Sequence, residues 1–405
     1  MLVSSMLALA PARLGGADPV RAASFSSSVR AVACRGLKLR RELTIRVAGC
    51  ATAHCSDAVA CWVPGRGLLV GRYDSSADLL GAGAAAATLP AGAHETAVSM
   101  SWGPRRATDD AVAPLAVCAS SRGRGSAGVE ARREVRVHFV RLGGECVRAT
   151  SLLEEAEGQM TGALAWGQDA GAWRLCWGGA ARTQGGLLSW LPSGGNVLLR
   201  MPATPSDAFA LAFWDHHVVL TGCRSGQLFG TDTRQRLRAS MLASALASAG
   251  SIAWLRPLSA PHQLLVARTS LFGASCDEPL LSRLDLRTGR TLLAYPGHVA
   301  THRADCEPAL DPDGLLLAAL GADGVLRAWD VHTAQPLASL ALPGERPQRA
   351  KAVLRLGTSA ATARGDGSGS ASGGSGRGSG IVRIWAEASH ADSLDVYELT
   401  PTSSL

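Results

Sequence analysis

Short apolar runs separated by turn residues form the main pattern along the chain. The clearest unit is the segment 315–331, LLLAALGADGVLRAWDV, in which an apolar run is followed by the tight turn 321–324 and by a second run that ends in Trp329 and Asp. The turn 311–314 (DPDG) precedes this unit, and a further run follows at 336–342. Asp and Gly favour the backbone angles that tight hairpins require. The pattern predicts four short antiparallel strands joined by hairpin turns.

The same unit recurs along the chain, with the place of Trp329 as its marker. Six further positions align with it: Tyr73, Phe139, Trp190, Thr231, Leu284 and Trp385. From Trp190 onward the spacings are 41, 53, 45 and 56 residues, close to the period of about 40–45 residues of a WD repeat. The last gap contains a Gly/Ser-rich insert at 358–380, and an earlier gap contains a similar insert at 120–128. We therefore predict an all-β WD-repeat β-propeller over residues 42–400, with seven blades favoured over six or eight.

Ring closure gives a physical reason for such a repeat. A four-stranded sheet has two apolar faces that it cannot bury alone, and stacking around a common axis buries both. Two alternating segments are candidates for the strand that closes the ring, 394–399 (LDVYEL) and 43–47 (LTIRV). The sequence leaves the choice between them open.

Positive charge is concentrated at the amino end. The formal net charge is +7, and residues 1–41 contain seven arginines and lysines against one aspartate, so the rest of the chain is almost neutral. A nearly neutral body lacks the basic surface that phosphate binding requires, and no nucleic-acid partner is expected. Residues 1–41 are predicted to be a disordered leader, with a mitochondrial transit peptide as the alternative. No apolar run is long enough to predict a membrane span, and the nucleus or cytoplasm is the expected location.

No segment matches a catalytic or metal-binding motif well. The segment 50–61 contains three cysteines and one histidine but no Cys-x-x-Cys pair, so buried thiols are expected rather than zinc. The glycines at 123–128 match Gly-x-Gly-x-x-Gly, but an alternating strand pattern follows them instead of the helix that a dinucleotide needs. We expect a protein without enzymatic activity, metal or other cofactor.

Three residues around the clearest unit are candidates for a buried structural network. His298 lies ahead of the unit, and Asp323 and Trp329 lie inside it. The arrangement resembles WD repeats, in which such a His bridges the turn Asp and the Trp through a Ser or Thr hydroxyl. Ala319 stands at the hydroxyl position, so the predicted network is incomplete. Its role is expected to be structural.

Residues 205–345 resemble one family in particular. The segments 220–234 (LTGCRSGQLFGTDTR), 284–290 (LDLRTGR) and 295–299 (YPGHV) are similar to blades of the WD-repeat substrate receptors of cullin-4 RING ubiquitin ligases. The most similar group is the fourth DDB-and-cullin-4-associated factor, also called WD-repeat protein twenty-one. The resemblance implies a receptor that performs no chemistry itself and presents a target protein, whose identity stays unknown, to the ligase. A WD-repeat scaffold of a chromatin or RNA-processing complex is the alternative.

The resemblance also implies which side chains bind the DDB-type adaptor. The family signature is Trp-Asp-x-Arg at the end of a blade's third strand, with the Arg directed toward the adaptor. Two segments match it without the Trp, and the predicted adaptor-binding residues are Asp232, Arg234, Asp285 and Arg287. The pair Trp329-Asp330 has the Trp but is followed by Val-His instead of an Arg.

Overall fold

The structure of the chain is a computed structural model. The structure describes residues 37–45, 51–54, 58–63, 67–72, 87–89, 95–104, 112–122, 131–141, 146–157, 160–169, 172–190, 195–235, 239–243, 250–269, 279–300, 306–311, 314–344, 349–357, 381–389 and 394–401. Within these ranges the secondary structure is β-strand and contains no helix. Most of the predicted leader, the insert 358–380 and Tyr73 lie outside them.

The described strands form seven sheets, six of which are four-stranded antiparallel meanders of consecutive strands. Strand β1 (Leu37–Ile45) opens the chain and belongs to the seventh sheet, described below. The first sheet contains β2 (Ala51–His54), β3 (Ala58–Val63), β4 (Gly67–Arg72) and β5 (Ala87–Leu89); the second contains β6 (Glu95–Trp102), β7 (Val112–Arg122), β8 (Ala131–Arg141) and β9 (Cys146–Glu157); the third contains β10 (Met160–Asp169), β11 (Ala172–Gly179), β12 (Gly186–Trp190) and β13 (Asn196–Arg200).

The following three meanders have the same strand order. The fourth sheet contains β14 (Ala208–Phe213), β15 (Val218–Cys223), β16 (Leu228–Asp232) and β17 (Ala239–Ala243); the fifth contains β18 (Ile252–Pro257), β19 (Gln263–Arg268), β20 (Leu281–Asp285) and β21 (Arg290–Ala294). After the two-residue strand β22 (Cys306–Glu307), the sixth sheet contains β23 (Ala309–Leu310), β24 (Leu316–Leu320), β25 (Val325–Asp330) and β26 (Pro336–Ala341).

The seventh sheet joins the two ends of the described chain. It contains β27 (Arg349–Gly357), β28 (Ile381–Ser389) and β29 (Leu394–Pro401), with β22 beside β27 and β1 beside β29. Strand β1 pairs antiparallel with β29, from Leu37 opposite Pro401 to Ile45 opposite Leu394. Residues 43–45 of one candidate closing segment and all of the other, 394–399, therefore belong to strands that pair with each other. Strand β1 also includes the last five residues of the predicted leader.

The burial pattern shows why these segments form strands in stacked sheets. Second strands such as β15 (VVLTGC) and β24 (LLAAL) are buried at every residue, whereas the fourth strand β13 (NVLLR) is mostly exposed. A strand that is covered on both faces has a continuous apolar sequence rather than an alternating one. The sheets therefore pack face to face, and their fourth strands lie at the outer edges. This all-β arrangement is consistent with the predicted propeller.

The hairpin at 321–324 is confirmed. It joins β24 to β25, and its last residue, Gly324, has φ +74°, which L side chains rarely adopt. The Gly321 amide donates to the Val325 carbonyl at 3.0 Å, and the Asp323 carboxylate accepts from the Val325 amide at 3.2 Å. Local turn chemistry was therefore a sufficient guide to this hairpin.

The repeat alignment is confirmed at five positions and wrong at one. Phe139, Trp190, Thr231, Leu284 and Trp329 all lie in the third strand of their meanders. Trp385 instead lies in β28, the second strand of the run β27–β29. The alignment failed because the third strand of that run is β29 and the amino-terminal β1 fills the fourth place. A repeat period measured along the chain could not show this long-range pairing.

One glycine sets the approach of the fourth and fifth sheets. A Cβ atom added to Gly222 would lie 2.4 Å from Cγ2 of Ile252 and 3.3 Å from Cδ1 of Leu255. Both neighbours are buried in the cluster that joins the two sheets. The sheets can pack this closely only because Gly222 has no side chain.

Replacing this glycine should therefore overpack the core. Gly222→Ala is expected to lower the free energy of unfolding by about 1–3 kcal/mol, measured by urea denaturation. The double variant with Ile252→Ala should lose less than the sum of the two single losses, because the second change removes the clashing methyl group. Additive losses would contradict the proposed contact.

Candidate protein-binding site

Two aspartates end the third strands of neighbouring sheets at the same register. Asp232 ends β16 and pairs with Val218, the first residue of β15. Asp285 ends β20 and pairs with Gln263, the first residue of β19. Both aspartates are buried. The repeat therefore places two carboxylates at equivalent points of the fourth and fifth sheets.

Each aspartate holds the arginine two residues further along. The Arg234 side chain donates to Asp232 through Nε at 3.0 Å and through Nη2 at 2.8 Å. The Arg287 side chain donates to Asp285 in the same way, at 3.3 Å and 3.1 Å. In both turns the arginine's own backbone amide also donates to the carboxylate, at 2.9 Å. The four predicted adaptor-binding residues therefore form two matching ion pairs.

The two partners of each pair differ in exposure. The side chains of Arg234 and Arg287 are 41% and 61% exposed, whereas those of Asp232 and Asp285 are 0% and 9% exposed. Side-chain hydrogen bonds from the arginines hold the pKa of both carboxyl groups below its usual value, although burial acts in the opposite direction. The carboxylates thus stay ionised and fix arginines that face solvent.

A third turn has the same backbone design with a different side chain. Asp330 ends β25 opposite Leu316, the first residue of β24. Its carboxylate accepts from the backbone amides of His332 and Thr333, both at 2.8 Å. His332 occupies the place of the arginine and is exposed. The Asp turn therefore forms without an arginine, so the arginines of the other two turns are not needed for this backbone shape.

A stacked aromatic pair connects the ends of the fourth and fifth sheets. Trp214, which follows β14, stacks on His262 in the turn before β19, with ring centroids 6.5 Å apart and an angle of 11°. The His262 carbonyl accepts from the Leu286 amide at 2.8 Å, which ties this turn to the Asp285 turn. The stack therefore shows that the two Asp-Arg turns lie at the same end of their sheets.

Sequence reasoning missed an arginine that supports the Arg234 turn from the neighbouring sheet. Arg174 in β11 is buried and donates through Nη1 to the His216 carbonyl and through Nη2 to the Thr233 hydroxyl, the latter at 3.2 Å. Its guanidinium also lies 5.8 Å from the ring centroid of Phe213. The apolar run around it (AWRLCWGG) gave a weak signal, because one charge inside a buried strand needs partners.

The predicted network of His298, Asp323 and Trp329 is brought to one place but with other hydrogen bonds. The His298 and Trp329 rings meet edge to face with centroids 6.3 Å apart. Trp329 Nε1 donates to the Pro296 carbonyl at 3.1 Å, and the Asp323 carboxylate accepts from Arg327 at 2.6 Å. Ala319 has no hydroxyl group to bridge them. Trp329 is therefore bonded to the Pro296 carbonyl, and Asp323 is bonded to Arg327.

The described cysteines have the character of core residues. Cys176 and Cys223 are buried thiols outside any disulfide. Burial raises the pKa of the Cys176 thiol to about 12 and also raises the pKa of Cys223. Such thiols are poor nucleophiles and poor metal ligands at neutral pH. The side chains of Cys50, His54, Cys55 and Cys61 lie outside the described part of the structure. The expectation for that segment therefore stays a prediction.

Among the described residues, no three His, Cys, Asp or Glu side chains are grouped so as to hold a metal ion. The described residues also contain no helix that is long and apolar enough to cross a membrane. Neither comparison with models of protein families nor comparison with curated proteins finds a match to this chain.

Proposed function

We propose that the chain is a non-catalytic protein-binding scaffold built as a seven-bladed WD-repeat β-propeller. The support is topological: six consecutive meanders share one strand order, and the seventh sheet combines β1 with β27–β29. An amino-terminal strand that completes the last sheet leaves no open end in a ring of blades. Residues 42–400 would form this ring together with the end of the leader.

We further propose that the scaffold is a substrate receptor of a cullin-4 RING ubiquitin ligase. The observation that carries this proposal is the pair of matching turns Asp232–Arg234 and Asp285–Arg287, with fixed carboxylates and exposed guanidiniums. An arginine held in this way is suited to a directed contact with a protein adaptor. The receptor would accelerate ubiquitin transfer by holding the target near the ligase, without a reaction of its own. Such a protein would act in the nucleus or cytoplasm.

A generic scaffold is the second candidate, and the third turn favours it. Asp330 forms the same backbone turn with His332 in the arginine position. The Asp turn can therefore serve the fold alone, as in a WD-repeat protein of a chromatin or RNA-processing complex. Co-purification with the DDB adaptor separates the two candidates: stable binding supports the receptor, and its absence supports the generic scaffold.

Arg287→Ala should weaken binding of the purified DDB adaptor by roughly thirtyfold. The melting temperature should change little, because an ion pair with a 61% exposed arginine contributes weakly to stability. Biolayer interferometry measures the first quantity and differential scanning fluorimetry the second.

The matched control is Arg224→Ala. Arg224 lies in the turn between β15 and β16, at the opposite end of the fourth sheet, and pairs with Asp207 at 3.4 Å. This change should leave adaptor affinity within about twofold. If Arg234→Ala and Arg287→Ala together leave adaptor binding intact, the assignment of these residues is wrong.

A further inference from the structure

The free donors of the two arginines define what they can bind. Nε and Nη2 of Arg234 and of Arg287 are used by their own aspartates. Among the described residues no hydrogen bond occupies Nη1 of either side chain. Each guanidinium therefore offers at least two N–H groups to a partner.

The charge around these donors does not favour an acidic partner. Each arginine is already neutralised by a carboxylate within 3.1 Å of its Nη2. Asp215 adds a further negative charge close enough to raise the pKa of Arg234. With Arg174, which supports the Arg234 turn from the neighbouring sheet, three arginines stand against three aspartates, so the region carries no net positive charge. A partner carboxylate would gain one hydrogen bond but would meet these like charges, whereas a neutral carbonyl oxygen would not.

A stacked aromatic pair lies at the same end of the sheets as the two arginines. Trp214 and His262 stack across the fourth and fifth sheets at the same end as the Asp-Arg turns, and both rings are partly exposed. Trp and Arg are the residues most typical of the energetic centre of a protein interface. We define the arginine edge as Arg234, Trp214, His262 and Arg287.

We propose that the arginine edge binds an acid-poor peptide segment of its partner through that segment's main-chain carbonyl oxygens. The Nη1 groups of the two arginines donate to the carbonyls, and the stacked pair packs against the segment. Asp232 and Asp285 are positioning residues that orient the donors and cancel their charge. The proposal rests on the proposed function in one respect, since the adaptor is the partner expected at this edge.

The sharpest variant is Asp285→Asn. The Asn side-chain oxygen can still accept a hydrogen bond from the Arg287 backbone amide, so the turn is kept. The negative charge that faces the Arg287 guanidinium is lost. A neutral partner segment should then bind about fivefold more weakly, because the arginine is less well oriented. An acidic partner segment should bind more tightly, because a like charge has been removed. The two kinds of partner thus predict opposite signs.

The first experiment measures binding of the purified DDB adaptor to the full chain between 50 and 300 mM salt. We expect the wild-type affinity to change by less than about twofold over this range, and Asp285→Asn to weaken it. Asp207→Asn, which alters the ion pair with Arg224 at the opposite end, is the control and should change nothing. Arg287→Lys keeps the charge but loses the fork, and should weaken binding as Arg287→Ala does. Tighter or unchanged binding by Asp285→Asn, or a steep salt dependence of the wild type, overturns the inference while the proposed function stands.

The second experiment does not depend on the adaptor. A random dodecapeptide phage library is selected on the wild-type chain and counter-selected on the folded double variant Arg234→Ala/Arg287→Ala. We expect enriched peptides with fewer Asp and Glu residues than the starting library. Acid-rich peptides, or no peptide that needs the two arginines, overturn the inference. If the adaptor fails to bind but acid-poor peptides are enriched, the ligase function falls and the inference stands.

Discussion

Acidification from pH 7 to pH 4.5 is expected to lower the free energy of unfolding by roughly 5 kcal/mol, because two buried histidines must take up protons. His138 in β8 and His298 before the sixth sheet are 7% and 8% exposed. Burial, assisted by Arg136, lowers the pKa of His138 from 6.5 to about 4. Burial and Arg327 likewise lower the pKa of His298 to about 4, against the opposing effect of Asp323.

The direction of this effect follows from proton binding. Between pH 6.5 and pH 4 the unfolded chain binds protons at these histidines and the folded chain does not, so the unfolded state gains stability as the pH falls. At about 1.4 kcal/mol per pH unit, each histidine contributes about 2–3 kcal/mol over this window. Above pH 6.5 the histidines are neutral in both states, and this part of the free energy of unfolding is fully retained. The pKa values of Asp232 and Asp285 lie below their usual value. These carboxylates therefore take up protons only below this pH window and add little to the loss.

Urea denaturation followed by tryptophan fluorescence at pH 7 and pH 4.5 measures the loss. His138→Leu and His298→Leu should each remove about half of the pH dependence, since neither variant retains the titrating ring at that place. His138 is the cleaner test, because neither of its ring nitrogens has a hydrogen-bond partner among the described residues. If the double variant is as acid-sensitive as the wild type, the two histidines are not the cause.

Trp329→Ala is expected to cost about 3–5 kcal/mol of unfolding free energy. The side chain is fully buried between the fifth and sixth sheets, packs edge to face on Tyr295 at 6.1 Å, and donates to the Pro296 carbonyl. The substitution leaves a large cavity and removes the donor for that carbonyl. Trp329→Phe fills most of the cavity and should cost less.

Trp214→Ala is the matched control for this loss. Trp214 is a partly buried tryptophan at the edge of the neighbouring core cluster, so its truncation should cost clearly less than that of Trp329. The midpoints of urea denaturation at pH 7 compare the two variants. An equal loss in both would mean that Trp329 has no special place in the packing of the fifth and sixth sheets.

Local features of this protein were predictable from its sequence. The hairpin 321–324 depends on residues within a few positions of one another, and so do the turns of Asp232 with Arg234 and of Asp285 with Arg287. Backbone preference and short-range hydrogen bonds decide such structures, and both are properties of the local residue types. The all-β class followed from the same short-range signals.

The burial of His138 could not be predicted from the local sequence pattern. In the segment 134–139 (EVRVHF), Val and Phe alternate with Glu, Arg and His, a pattern typical of a strand with one face in water. The structure buries His138 nonetheless, while Val137 and Phe139 on the other face pack against the third sheet. Sheets that stack on both sides cover the polar face as well as the apolar one.

By itself, the sequence determined where most strands and turns form and where an aspartate and an arginine stand two positions apart in a turn. Only the tertiary structure decided that β1 pairs with β29 across the full length of the chain, that Arg174 supports the neighbouring sheet's turn, and that Trp214 meets His262. The physical reason is distance along the chain. Turn geometry is set by neighbouring residues, whereas a contact between sheets depends on which strands pair and which faces stack, and local propensity carries no information about either.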